Sequence, residues 1–504
     1  VAVGDGSDML AFMLGNVARG DAMTTIPMPA ILPLAPEMLL AAAAMAILLW
    51  DLFLPRERKH WSAWAAILAC GAAMALVLAL AGPSAKPAFY GYFVLDPFAV
   101  YAKLLICAGT LLSIVLSIDY MRREPNTGEY YALLLFATVG MMLMVSAPNF
   151  VTMYLGLELM ALCTYVLVGY QRDVLRSSEA ALKYFILGSL ASGVLLYGIS
   201  FVYGVSGSFD FVSAGEAFAR AGGEARLAVG VALVFLLAGL CFKVSVAPFH
   251  MWTPDAYEGA PTPITAFMSI GPKVAGLVVF IRVLADVLPA VQSDYTAILS
   301  WLAVLTMAVG NLAAIGQRNI KRMLAYSTIG HVGFVMLGLI AANADGYAGM
   351  LVYLTVYLFM NMGAFAIIIL MRREGIQGEL LDDFAGLARV RPGYGLAMTL
   401  FLFSLAGIPF LGGFWAKYVV FIAAVEAGHL YLALIALLFS AVGAFYYIRV
   451  VKYIYFDEER VAFDFAERPL MQATVALTAI AVVALGLFPG PMIAICKAAV
   501  AGVI

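Results

Sequence analysis

The chain has 504 residues, 64% of them hydrophobic and 12% charged, with a formal net charge of −2. A soluble domain carries about 25% charged residues. A water-soluble globule is therefore excluded, and the length of the apolar runs requires helices rather than barrel strands. The small net charge leaves no bulk basic field for nucleic acid.

The five cysteines, Cys70, Cys107, Cys163, Cys241 and Cys496, stand singly in apolar stretches without CxxC spacing. That argues against iron–sulfur or structural zinc sites. The four histidines show no metal-ligand spacing, and neither GxGxxG nor GxxxxGK[ST] occurs. No nucleotide fingerprint is visible, so redox or nucleotide chemistry is expected in partner proteins.

Residues 1–35 read as an irregular segment on the outside, with Asp5, Asp8, Arg19 and Asp21 and no basic n-region of a signal peptide. Val1 is not an initiator, and Met23 is a candidate start. Each membrane span needs roughly 20 apolar residues. Fourteen spans are predicted, at 36–54, 62–82, 96–118, 131–146, 148–170, 178–203, 228–248, 263–285, 295–315, 323–342, 348–371, 395–425, 431–450 and 470–489. The fold class is an all-α polytopic membrane protein.

Basic residues collect in cytoplasmic loops. With the N-terminus outside, eighteen cations fall in inner loops, among them Arg56, Arg58, Lys59, Arg123, Arg172, Arg176, Lys321, Arg322, Arg373, Arg449 and Arg460. Only Arg19, Lys86, Arg220, Arg226 and Lys497 fall outside. Both termini are accordingly placed outside.

No soluble domain is predicted. The Gly-rich 204–227 gap reads as a surface loop. The 249–262 segment holds no Lys or Arg and is too apolar for an ordinary loop. It reads as a continuation of span 7 beyond a break at Ala247-Pro248, where proline removes a helical hydrogen bond. A second break is expected in span 12 at Gly407-Ile408-Pro409-Phe410-Leu411-Gly412-Gly413. Interrupted helices in corresponding places point to an inverted repeat with sites at mid-membrane. The units would be spans 4–8 (131–285) and spans 9–13 (295–450), preceded by spans 1–3 (36–130) and followed by span 14 (470–489).

A charge at mid-span costs at least about 2.5–3.5 kcal/mol on insertion scales and usually marks an ion or proton path. Near outer span ends, Arg282 is expected to snorkel and Lys103 either to snorkel or to sit in a structural pair. Asp51 and Asp119 are expected at the interface. Glu158, Lys243, Lys273 and Lys417 are harder to dismiss, and Lys183 lies a short way into span 6. These five groups occupy spans 5, 6, 7, 8 and 12, two of them beside helix breaks. Desolvation disfavours the charged form of a buried lysine and a neighbouring carboxylate restores it. Such pairs can load and release a proton, and unwound helices admit water between them. His250, on the break, and His331, in span 10, are further candidate relays. Tyr326, Tyr353 and Tyr357 can hold water chains. The bland alternative is a set of ion pairs that only locks helices together.

At these residues the chain resembles the antiporter-like membrane subunits of respiratory complex I, the bacterial NADH–quinone oxidoreductase. The segments that carry the likeness are YLGLELMALCTYVLVGY (154–170), EAALKYFILGSLASG (179–193), FKVSVAPFHMWTPDAYEGAPTPITAFMSIGPKVAG (242–276), NIKRMLAYSTIGHVGF (319–334) and SLAGIPFLGGFWAKYVVF (404–421). The resemblance covers about 130–450, and the 35-residue block is its strongest part. It implies that Glu158 pairs with Lys243, that Lys273 is the central lysine of span 8, and that Lys417 is the terminal residue toward the outside. Lys183 and His250 also fall on family positions. A lysine at 417, where the M branch typically has glutamate, and a chain that stops soon after span 14, unlike the L branch, favour the N branch. The resemblance further implies no cofactor or metal in this chain, with FMN, iron–sulfur clusters and quinone in partner subunits. The implied partners are subunits M, K and J, the lateral helix of L, and lipids, in a bacterial inner (cytoplasmic) membrane with periplasmic termini. A subunit of a multi-subunit sodium/proton antiporter or of a membrane-bound hydrogenase is the alternative.

Overall fold

Among the described residues, thirteen helices are long and apolar enough to cross a membrane. They are span 1 (Leu32–Asp51), span 2 (Arg56–Leu80), span 3 (Pro97–Tyr120), span 4 (Thr127–Val145), span 5 (Phe150–Val168), span 6 (Leu175–Ser206), span 7 (Glu224–Val244), span 8 (Thr262–Val287), span 9 (Pro289–Ile315), span 10 (Ile320–Ala341), span 11 (Ala344–Leu370), span 13 (Leu430–Phe456) and span 14 (Pro469–Leu487). Span 12 is a pair of 15-residue helices, Pro392–Ala406 and Gly412–Glu426. The structure is a computed structural model that describes residues 29–122, 124, 127–372, 378–458 and 468–502. Residues 1–28, with Asp5, Asp8, Arg19, Asp21 and Met23, and the inner-loop cations Arg123, Arg373 and Arg460 lie outside the described residues.

Short polar side chains start many of these helices by accepting from an orphan backbone N–H. Asp96 accepts from Ala99 N at 2.7 Å to start span 3. Asn149 accepts from Thr152 N at 2.9 Å to start span 5, and Asn319 from Arg322 N at 3.1 Å to start span 10. The two asparagines occupy matching places. Asn149 makes an isolated bridge to Asp210, beyond span 6, and Asn319 makes one to Leu380, beyond span 11. Glycines match too. A Cβ on Gly140 would lie 2.6 Å from the Gly156 carbonyl, and one on Gly310 would lie 2.3 Å from Gly330 N. Spans 4 and 5, and spans 9 and 10, approach as closely as only small residues permit.

The centre of the molecule is spans 8, 10 and 11. Every residue from Thr262 to Arg282 is buried, including Pro272, which span 8 absorbs without ending. Peripheral spans 1, 2, 13 and 14 expose Leu49, Leu68, Leu437 and Ile480, the apolar coat that lipid or a partner subunit covers.

Three features depart from the sequence reading. The 204–227 gap is not a plain surface loop. Asp210 accepts from Ser213 N at 2.8 Å and starts a helix, Phe211–Arg220, that buries Phe211, Ala214 and Phe218 at helical spacing. A short hairpin pairs Lys86–Ala88 with Phe93–Leu95. Helix Pro489–Val500 follows span 14.

Both breaks lie where the sequence placed them. Span 7 ends at Val244, Ser245 takes a left-handed conformation (φ 69°), the Ala247-Pro248 bond is cis, and helix resumes over Trp252–Gly259. In span 12, Gly407 (φ 90°) ends the first half, and Pro409 has no N–H to continue it.

Candidate functional site

Lys243 lies in the last turn of span 7, where the unpaired carbonyls of a half-helix favour a cation. Its Nζ donates to Ser192 Oγ on span 6 at 3.1 Å. Ser192 in turn donates to Glu158 Oε1 on span 5 at 2.5 Å. The acid and the base are thus joined by one buried hydroxyl.

Two residues beyond Lys243, Ser245 turns the chain out of the helix. Its Oγ takes a hydrogen bond from Lys273 Nζ on span 8 and one from Thr253 Oγ1 at 2.6 Å. Lys273 is 1% exposed, and its Nζ lies 4.9 Å from the centre of the Trp252 ring. Trp252 is fixed on both sides. Its Nε1 donates to the Phe242 carbonyl at 3.0 Å, and its ring stacks on Tyr184 at 4.3 Å. The break therefore supplies Lys273 with both its acceptor and its cation–π platform.

Lys273 also lines a cavity of about 10 Å³ with Thr328, His331, Tyr353 and Tyr357, space for about one water centre. On the far side, His331 Nδ1 shares a hydrogen bond with Tyr353 OH (2.5 Å) and Nε2 one with Tyr447 OH (2.9 Å). Tyr447 OH continues to Ser327 Oγ at 2.5 Å, and Tyr357 OH donates to Thr328 Oγ1 at 2.8 Å. One turn along span 10, Phe334 carries Lys417 Nζ 5.1 Å above its ring centre. Lys417 donates to the Ala406 carbonyl and to Ser440 Oγ, both at 2.8 Å. The carbonyl it meets is one that the span-12 break frees.

The structure thus joins the half-buried Glu158 to Lys243 through Ser192, sets Lys273 and His331 at one cavity, and places Lys417 over the Phe334 ring of span 10, an array buried except for Glu158. It does not bring Lys183 or His250 into it. The Lys183 side chain is 48% exposed and pairs with Glu179 (2.8 Å) and Asp255 (3.1 Å). Among the described residues, no hydrogen bond joins His250 to Lys243 or Lys273, and its buried Nδ1 has no hydrogen-bond partner.

Arg282 does not snorkel, and of the two readings of Lys103 the structure shows the structural pair. Lys103 is fully buried, 2.7 Å from Glu37 on span 1 and 4.4 Å from the centre of the Phe93 ring. Arg282 donates to both oxygens of Asp96, at 2.9 and 2.8 Å, and to the Val145 carbonyl at 3.0 Å. Acids from other spans reach them, so neither must extend to water. Asp51 is also buried, accepting from Lys59 and Ser62 at 2.8 Å each.

Sequence reasoning missed the hydroxyl partners Ser192, Ser245, Ser440 and Tyr447, because serine and tyrosine are common in such helices and most bond locally. It also missed a charge cluster. Arg322 donates to Asp255 and Glu258 at 2.7 Å each, Arg176 pairs with Glu258 and Glu379, and Lys321 lies 2.9 Å from Glu379. A signal existed, since 249–262 carries two acids and no cation of its own. Among the described residues no group of three or more His, Cys, Asp or Glu could hold a metal ion.

Residues 147–443 match the family described as NADH:quinone oxidoreductase/Mrp antiporter, TM. NADH-quinone oxidoreductase subunit N of Paramagnetospirillum magneticum is 45% identical over 475 residues, covering 93% of this chain and 97% of that protein. The subunit N of Granulibacter bethesdensis is 48% identical over 466 residues, covering 91% and 96%. A chain of respiratory complex I from Thermus thermophilus with bound aureothin superposes with a TM-score of 0.78 at 33% identity, covering 91% of this chain and 98% of that one. This chain therefore belongs to the NADH:quinone oxidoreductase/Mrp antiporter membrane family, in its NADH-quinone oxidoreductase subunit N branch.

Proposed function

We propose that this chain is a proton-translocating membrane subunit of a multi-subunit NADH:quinone oxidoreductase, with no redox centre of its own. Quinone reduction in partner subunits would drive proton transfer along Glu158, Lys243, Lys273, His331 and Lys417. The observation that carries this reading is the pair of short polar runs, from Glu158 through Ser192 to Lys243, and from Lys273 to His331 as linings of one small cavity. Ion pairs alone would lock helices as well, but here each lysine donates to a neutral hydroxyl. A lysine so held can give up its proton without abandoning a buried carboxylate in direct contact.

Lys183 would sit at the inner mouth of this path, beside Asp255, and His250 beside the path at the span-7 break. Two five-span units, 131–285 and 295–450, would each supply half of the path, with 36–130 and 470–489 as flanking spans. The orientation would place both termini on the periplasmic side of a bacterial inner membrane. Subunits M, K and J, the lateral helix of L, and lipid would cover the apolar coat, with FMN, iron–sulfur clusters and quinone held by partners. The 45% and 48% identity to subunit N proteins favours this reading over a sodium/proton antiporter or hydrogenase subunit.

The test is the complete complex in inverted membrane vesicles. Lys243→Ala should assemble, yet lose most NADH-driven proton uptake and the quinone reduction coupled to it. Wild-type pumping in that variant overturns the relay. A complex purified in mild detergent that lacks flavin and iron–sulfur absorbance overturns the assignment to an oxidoreductase.

A further inference from the structure

The contact between Glu158 and Lys243 runs through a third side chain. Ser192 Oγ lies 2.5 Å from Glu158 Oε1 and 3.1 Å from Lys243 Nζ, and the residue is 4% exposed. The polarity of the two bonds is fixed by chemistry. A lysine ammonium only donates and a carboxylate only accepts. The hydroxyl must accept from Lys243 and donate its own proton to Glu158.

Spans 6 and 7 hold this geometry by close packing. A Cβ on Gly198 would lie 2.9 Å from Leu236 N, and one on Gly239 would lie 2.5 Å from Leu195 Cβ. The two backbones meet within two turns of Ser192, which fixes the spacing of spans 6 and 7 near its hydroxyl.

We infer that Ser192 is a proton-relay residue, the wire through which Lys243 and Glu158 exchange a proton. In one shift, an Nζ–H bond of Lys243 breaks as that hydrogen bonds to Ser192 Oγ. The original Ser192 O–H bond breaks as its hydrogen bonds to Glu158 Oε1. The ammonium–carboxylate pair becomes an amine and a carboxylic acid, the serine is a hydroxyl before and after, and no electron is gained or lost. The neutral pair avoids the cost of two charges out of water. The hydroxyl also keeps the ions apart, which weakens the attraction that would otherwise hold them charged. This inference rests on the proton-relay reading above and names the group that couples its first two members.

The experiment uses the whole complex in inverted vesicles, with Ser192→Ala, Ser192→Thr and Glu158→Gln. Loss of a hydrogen bond to charged partners corresponds to about a tenfold change. Ser192→Ala should lower NADH-driven proton uptake about tenfold, and Ser192→Thr, which keeps the hydroxyl, should restore it to within about twofold. The infrared carboxyl band assigned to Glu158 by its disappearance in Glu158→Gln should move to higher wavenumber in Ser192→Ala. Wild-type pumping in Ser192→Ala overturns the wire. Equal loss in Ser192→Ala and Ser192→Thr with the Glu158 band unmoved overturns it as well, since only packing would then be at stake. Impaired Glu158→Gln with normal Ser192→Ala leaves the relay reading standing and removes only the wire, whereas normal pumping in Glu158→Gln removes the relay reading itself.

Discussion

In span 7 the lysine precedes the break, and in span 12 it follows it. Lys243 faces a hydroxyl that leads to a carboxylate on another span. Lys417 faces Ser440 and the Ala406 carbonyl that its own break exposes. The first cation is balanced by a group that can itself take a proton, the second by a fixed backbone dipole. A titratable partner permits exchange within the site. A dipole holds a charge but accepts no proton, so a proton leaving Lys417 must go elsewhere. In the proposed relay the same device, a lysine at an unwound helix, would serve transfer in span 7 and transient holding in span 12.

Substitutions at the two breaks test that contrast. Lys273→Met, at the junction between the halves, should have the largest effect, with proton uptake in vesicles falling well beyond tenfold; near-normal uptake would mean the halves work independently. Lys243→Ala should come next, and combining it with Glu158→Gln should add little further loss if the two act as one unit. Lys417→Arg should retain a sizeable share of the rate, because a guanidinium also satisfies a carbonyl and a serine, whereas Lys243→Arg should not, because arginine cannot be deprotonated in a protein. Equal loss in the two arginine variants would erase the distinction.

A buried charge outside the line gives the complementary measurement. Lys103→Met leaves the Glu37 carboxylate buried without its partner, which costs about 3–5 kcal/mol. It should lower the thermal stability and yield of the complex while each assembled complex still pumps. Adding Glu37→Gln should recover most of the stability. Lys183→Ala, at an exposed pair, should change the pumping rate least, and a loss comparable to Lys243→Ala would place Lys183 inside the path.

Much of the architecture was legible because a membrane span is a long apolar run and a break announces itself by Pro or Gly. The Gly407–Gly413 interruption shows this, and so does the lysine-free segment after Pro248. The candidate site was legible only as a set of separate charges. Depth in the span separated Lys103 from Lys273, but nothing in the sequence named Glu37 as the partner of the first or a serine on the rim of a cavity as the setting of the second. His250 stood out by its place between two lysines in the chain, yet His331 is the histidine at the cavity, because span 10 runs beside span 8 and the break in span 7 does not aim His250 at either lysine.

By itself, the sequence determined that this chain is a multi-pass helical membrane protein that carries charges within its spans and breaks two of them, since the transfer of apolar and ionic groups out of water is a local property of each residue. Tertiary structure alone decided which charges are partnered by acids, which by hydroxyls and which by freed carbonyls. Those partners come from helices far apart in the chain, and a buried ion is fixed by whatever polar atom the packing brings within about 3 Å.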